Sequence, residues 1–226
     1  MAPPVDPRDH GLTLPANIQT PVFLDPSSRS VVFRLPASVR LRVSPAMFWE
    51  ISCANPDLRL ERTASGRLEV LPSAWTITGA KNARLSGQLG NWNEAVRAGY
   101  ALGSDIGYTL PNSAVRSPDA SWMTLTQYRS MTPEQRQEFP PFCPTFVAEL
   151  RSEGDRLRIL RRKMREYRDQ GAQLGWHIDL VRKRVEIYRP GQAVRVVENP
   201  SSLAGEDVLP GFVLDLRFIL GDDLLG

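Results

Sequence analysis

Residues 145–180 read TFVAELRSEGDRLRILRRKMREYRDQGAQLGWHIDL, a strand, a helix and a strand in succession. In the first six or seven residues the side chains alternate. Thr145, Val147, Glu149 and Arg151 take one face, while Phe146, Ala148 and Leu150 take the other. Leu157, Leu160, Met164 and Tyr167 then recur every three or four positions, which predicts a helix from a cap at Asp155 to Gln170, ended by Gly171. Residues 174–180 return to strand material.

Charged residues stand inside this apolar pattern. Glu149 sits in a strand otherwise suited to burial, and an unpaired buried carboxylate is costly, so it must meet a metal, a cation or water. A salt bridge to Arg151 or to the helix would satisfy it as well. Lys163 falls on the border of the helix's apolar stripe, beside Leu160 and Tyr167, and is the base best placed to reach the strands, with Arg156 next. A lysine there can equally lie along apolar surface with its charge in water. Arg158, Arg161, Arg162, Arg165 and Arg168 project from the other side, a face fit for phosphate contacts or for solvent. Upstream, Asp119 follows Pro118 and opens a strand at 119–125. Alone it describes a turn. With Glu149 on a neighbouring strand it becomes half of a two-carboxylate clamp, and two acids with an amine are what a metal-dependent phosphodiesterase site requires.

The remainder is read around this centre. The 226 residues are 42% hydrophobic, enough for one substantial core, and 28 Lys+Arg against 25 Asp+Glu leave any attraction to nucleic acid to local clustering. Cys53 and Cys143 lack the paired spacing of a zinc site and read as reduced thiols. The N-terminus lacks a signal peptide's apolar run, and no stretch is long enough to span a bilayer, so a soluble, cytoplasmic protein without membrane contact is expected. Prolines 3, 4, 7, 15, 21 and 26 make residues 1–30 an extended or disordered leader before a single domain at 31–226. Strand material at 31–41 precedes a helix at 45–54 capped by Ser44, then a hairpin of strands 58–62 and 67–71, with Glu69 in the second. A helix at 82–98, a strand at 106–110 and a short helix from Thr132-Pro133 follow, with further strands at 184–189, 193–197 and 212–219. His177 and Asp179 share a strand face and read as half-exposed surface polarity.

Several segments together resemble one family. These are Pro118-Asp119, then 144–152 (PTFVAELRS), Asp155-Arg-Leu, 163–167 (KMREY), Gly171, 174–179 (LGWHID) and 185–191 (VEIYRPG). In order and spacing they resemble the Uma-type restriction endonuclease-like family of the PD-(D/E)XK nuclease superfamily, from about residue 45 to about residue 220. The resemblance implies a restriction-endonuclease-like α/β core, a central mixed sheet flanked by helices, to which the hairpin and the C-terminal strands add. It implies Asp119 and Glu149 as magnesium ligands, with Mn2+ as substitute, and Glu69 as a third acid, a position that an exposed hairpin glutamate also explains. Asn82 matches a recurrent polar position, which a helix cap also explains.

Two departures stand out. The lysine usual two residues after the second acid is Arg151 here, too basic for a general base but able to hold a phosphate; Lys163 is then the assisting amine. The loop that often reads Ser-Pro-Ser-Asp reads Ser152-Glu153-Gly154-Asp155. The expectation is a Mg-dependent endonuclease acting on DNA, with Asp119, Glu149, Lys163 and Arg151 catalytic and Arg156, Arg158, Arg161, Arg162 and Arg165 on the nucleic acid. The alternative is a nuclease-fold module that no longer cleaves and binds nucleic acid or a protein. Cutting both strands would suit a homodimer.

Overall fold

The predicted strand, helix and strand at 145–180 form the centre of the molecule in the computed structural model, which describes residues 41–71 and 75–221. The leader expected at 1–30 and almost all of the strand expected at 31–41 lie outside the described residues. In chain order the elements begin with α1 (Pro45–Ala54), β1 (Arg59–Arg62), β2 (Leu68–Leu71), α2 (Thr76–Val96), β3 (Gly99–Leu102), β4 (Tyr108–Thr109), β5 (Val115–Arg116) and β6 (Ala120–Thr124). Next come α3 (Leu125–Ser130), a 3-10 turn at Gln135–Gln137, β7 (Phe146–Arg151), α4 (Leu157–Asp169), β8 (Leu174–Asp179) and β9 (Arg184–Tyr188). The chain closes with β10 (Arg195–Glu198), β11 (Ser202–Ala204), β12 (Val213–Asp215) and α5 (Arg217–Leu220).

Six strands form the central sheet in the order β10-β9-β8-β7-β6-β3. β7 and β8 run parallel and the other neighbours antiparallel, so the sheet is mixed. A parallel pair needs a long crossover, and α4 is that crossover. A second, antiparallel sheet has the order β2-β1-β5-β4, and β11 and β12 make a separate pair.

The alternation in β7 divides the core in two. Phe146, Ala148 and Leu150 pack with Leu85 and Leu89 of α2, with Trp176 and Ile178 of β8, and with Phe212. Val147, on the other face, packs with Met164 and Tyr167 of α4, Met123 and Tyr188. Leu85 and Leu89 are wholly buried, so truncating either to Ala would cost about 2–5 kcal/mol. The approach of β3 to β6 depends on Gly99, where a Cβ would stand 2.1 Å from the Met123 carbonyl.

Several boundaries differ from the sequence expectation for local reasons. α2 starts at Thr76, although Thr76, Ile77, Thr78 and Gly79 are poor helix formers; Lys81 Nζ ties this part to the Gly221 carbonyl at 2.8 Å. Asn82 therefore lies inside the helix and caps nothing. Asp155 does not cap α4, whose N-cap is Arg156; its carboxylate accepts from Ser152 N and Oγ instead. At the end of β6 an unexpected capping box, Thr124 with Gln127, starts α3. The strand expected at 212–219 divides into β12 and α5. Ser44 caps α1 as expected, accepting from Met47 N at 3.1 Å.

Candidate active site

The register of the central sheet lines up one polar row on the face that α4 covers. Ala120 pairs with Ala148, so the next step outward sets Asp119 against Glu149. Glu149 pairs with His177, and His177 with Glu186. Four ionisable residues thus cross four adjacent strands beneath one helix.

Lys163 descends from α4 onto this row and is buried. Its Nζ lies 2.7 Å from Glu149 Oε1 and 2.6 Å from Glu61 Oε1, and it donates to the Ser117 carbonyl at 3.3 Å. Tyr167, one helical turn along, donates to Glu149 Oε1 at 3.0 Å. Asp119 Oδ2 accepts from the Leu150 amide at 2.9 Å, and Arg59 Nη2 stands 3.6 Å from Asp119 Oδ1. Glu61, from β1, also accepts from Ser117 N at 3.0 Å and from Arg116 Nη1 at 2.9 Å.

These contacts leave the carboxylates unequal. Burial pushes Glu149 up to about 7, helped by the charges of Asp119 and Glu61 and opposed by Lys163. Asp119 is also raised by burial, against the pull of the Leu150 amide, Lys163 and Arg59. Glu61 is lowered: burial works against its charge, but Lys163 and Arg116 outweigh it. Burial likewise opposes the Lys163 ammonium, yet Glu149 and Glu61 hold its pKa above the usual value. Two acids facing each other across the β6–β7 pair are thus short of positive charge, beside an amine that stays protonated.

The other residues singled out by sequence lie elsewhere. Glu69 is opposite Glu61 in the hairpin, but it is held by Arg116 at 2.9 Å and Arg67 at 2.7 Å. The hairpin acid that touches Lys163 is Glu61. Arg151 turns to Asp179, its partner across the β7–β8 pair, at 2.9 Å. Arg156, Arg158, Arg162 and Arg165 are exposed, whereas Arg161 is bound by both oxygens of Glu186 at 3.0 and 2.9 Å. His177 and Asp179 are fully buried rather than half-exposed. Cys53 and Cys143 are both free thiols. Among the described residues no three of His, Cys, Asp and Glu form a ready cation cage, and no helix is long and apolar enough to cross a membrane.

Residues 45–217 match the Uma2 family, described as "Putative restriction endonuclease". The chain belongs to this family. Its fold is similar to the crystal structure of a putative nuclease belonging to DUF820 from Anabaena variabilis ATCC 29413, with a TM-score of 0.60 and 17% identity over 71% of this chain and 89% of that one. No curated protein matches. The Uma2 match spans both sheets and α4, and so takes in every residue of the polar row and Glu61. Sequence did not single out Glu61, because the hairpin alternation is equally compatible with Glu69.

Proposed function

We propose that the protein is a divalent-metal-dependent nuclease that hydrolyses phosphodiester bonds in DNA. The observation carrying this reading is the convergence of Asp119, just before β6, Glu149 of β7 and Lys163 of α4, with both of those acids raised by burial. The donor set suits magnesium. Mg2+ is usually held by one or two carboxylates, with water and substrate phosphate completing its shell, rather than by an all-protein cage. Asp119 and Glu149 would hold it, Mn2+ serving as substitute, and when bound the ion would supply a Lewis acid for the phosphate and a lowered pKa for its water.

The chain's own groups have separate tasks in this reading. Lys163, held at 2.7 Å from Glu149 and 2.6 Å from Glu61, orients the attacking water and offsets charge developing on the phosphate. Tyr167 fixes the Glu149 carboxylate by hydrogen bonding. Glu61 positions the Lys163 ammonium. The exposed arginines of α4 contact the DNA backbone, giving binding that weakens with salt. Arg151, bound to Asp179, supports the strand ends in place of the phosphate role expected from sequence.

Purified protein is expected to nick or cut DNA with Mg2+ or Mn2+ and not with EDTA, and Asp119→Asn or Glu149→Gln to abolish this. Cutting that survives both changes would overturn the assignment. One observation favours a second reading, a nuclease-fold module without cleavage: Arg151 replaces the superfamily's usual lysine and is already engaged. A Mn2+ titration followed by thermal unfolding separates the two, since a site that binds its ion is stabilised by it. An unchanged melting temperature at saturating metal would favour the module.

A further inference from the structure

A cleft of about 410 Å³ opens beside the acid cluster, between α1, the start of β1 and the loop before β4. Ser117 and Arg59 line it, and both also touch the cluster, Ser117 through Lys163 and Glu61 and Arg59 through Asp119. The size falls in the range of small-ligand pockets, roughly 300–1,000 Å³.

Three features indicate what it takes. First, Arg59 and Ser52 line it, and Arg59 Nε has no hydrogen-bond partner that would fix the guanidinium. Arg59 is tied to Asp119 only at 3.6 Å, too long for a hydrogen bond, and its guanidinium can turn to a phosphate. Second, Trp49 and Phe139 form an aromatic wall, in edge contact with ring centroids 5.3 Å apart, and nucleobases stack on such surfaces. Third, Asp57 and Asp105 also line the cleft. They would repel a run of phosphates but can accept from a base's exocyclic amino group.

We propose that this cleft binds one unpaired nucleotide of the substrate, the base against Trp49 and Phe139 and the adjoining phosphate on Arg59. The proposal rests on the nuclease reading for the identity of the substrate. On binding, Arg59 exchanges Asp119 for the phosphate, which frees the Asp119 carboxylate of its nearest cation. A nucleotide out of the stack therefore both docks the strand and completes the neighbouring centre.

The test is equilibrium binding of the full chain to labelled single-stranded DNA, its duplex and a single-stranded probe with one abasic position walked along it, all in EDTA. Single strands should bind more tightly than duplex, and one abasic position should weaken binding about 5- to 100-fold, the range seen for loss of one stacked base. Trp49→Leu should match that loss, Trp49→Phe should retain most of the affinity, and Arg59→Ala should weaken binding about tenfold. Absence of DNA binding, a uniform response to abasic position, or an affinity for Trp49→Leu and Arg59→Ala within twofold of wild type would each overturn the proposal. Because no metal is present, the result depends neither on cleavage nor on a bound cation. Metal-dependent cutting with a cleft indifferent to the base would refute the nucleotide site alone, while base-dependent binding without cutting would refute the nuclease reading and keep the site.

Discussion

Glu149 and Glu186 stand two strands apart in one row, under one helix, and both are buried, yet they are treated in opposite ways. Glu186 is bound by Arg161 through both oxygens, by Tyr188 at 3.0 Å and by Arg184 at 3.1 Å, and lies 3.2 Å from His177 Nδ1. Burial opposes its charge, but hydrogen bonds from His177, Arg161 and Tyr188 outweigh burial and hold its pKa well below the carboxylate range. Glu149 shares one ammonium with Glu61, faces Asp119, and is raised. Saturation of one carboxylate and deficiency at the other, within the same layer, sets a structural anchor apart from the acid proposed above as a cation ligand.

The largest effect that would break this comparison is on catalysis. Asp119→Asn or Glu149→Gln should reduce metal-dependent cleavage by a factor on the order of a thousand or more, measured on supercoiled plasmid. Glu186→Gln should act through stability instead, because it removes the charge that Arg161, Arg184 and His177 converge on; since Arg161 and Arg184 are partly exposed, a loss of about 1–3 kcal/mol is expected in urea unfolding at pH 7. This penalty should shrink in acid, since a lowered carboxylate contributes stability above its ordinary pKa and loses it as pH falls.

The two acids should also differ in the sign of their pH dependence. Glu149, raised to about 7 from an ordinary 4.5, favours the fold while protonated, and that contribution is lost as pH climbs from about 4.5 to about 7. Glu149→Gln cannot ionise. Without metal it should equal wild type near pH 4.5 and be the more stable at pH 8; a variant less stable than wild type at pH 8 would mean that Glu149 is as well satisfied as Glu186. Saturating Mn2+, at about a hundredfold over Kd, should stabilise wild type by about 2.7 kcal/mol and leave Asp119→Asn unmoved. The smallest effect expected is at the exposed arginines: Arg158→Ala or Arg162→Ala should weaken DNA binding a few-fold and lower the salt slope by about one.

The β7–α4–β8 unit was legible because its signals are local. Alternation places Glu149 and helical periodicity places Lys163, each within a dozen residues of sequence. What distinguishes Glu61 from Glu69 is not local. Both lie in one hairpin with the same alternation, and the choice is made by β1 pairing with β5 through Arg62 and Val115, which delivers Ser117 N to Glu61. The pairing of Arg151 with Asp179 is not legible for a similar reason: that partner comes from the far side of a crossover. The cleft beside Arg59 gave no sequence signal, since α1, the hairpin and the loop at 104–107 meet only in three dimensions.

The single ammonium shared by Glu61 and Glu149 joins a carboxylate of the small sheet to one of the large sheet. Lys163 is thus a fastener between the sheets, besides the part in catalysis proposed for it. Hydrogen exchange in the β1–β2 hairpin should quicken in Lys163→Met, coupling loss of chemistry to loosening of the lobe that forms one wall of the cleft.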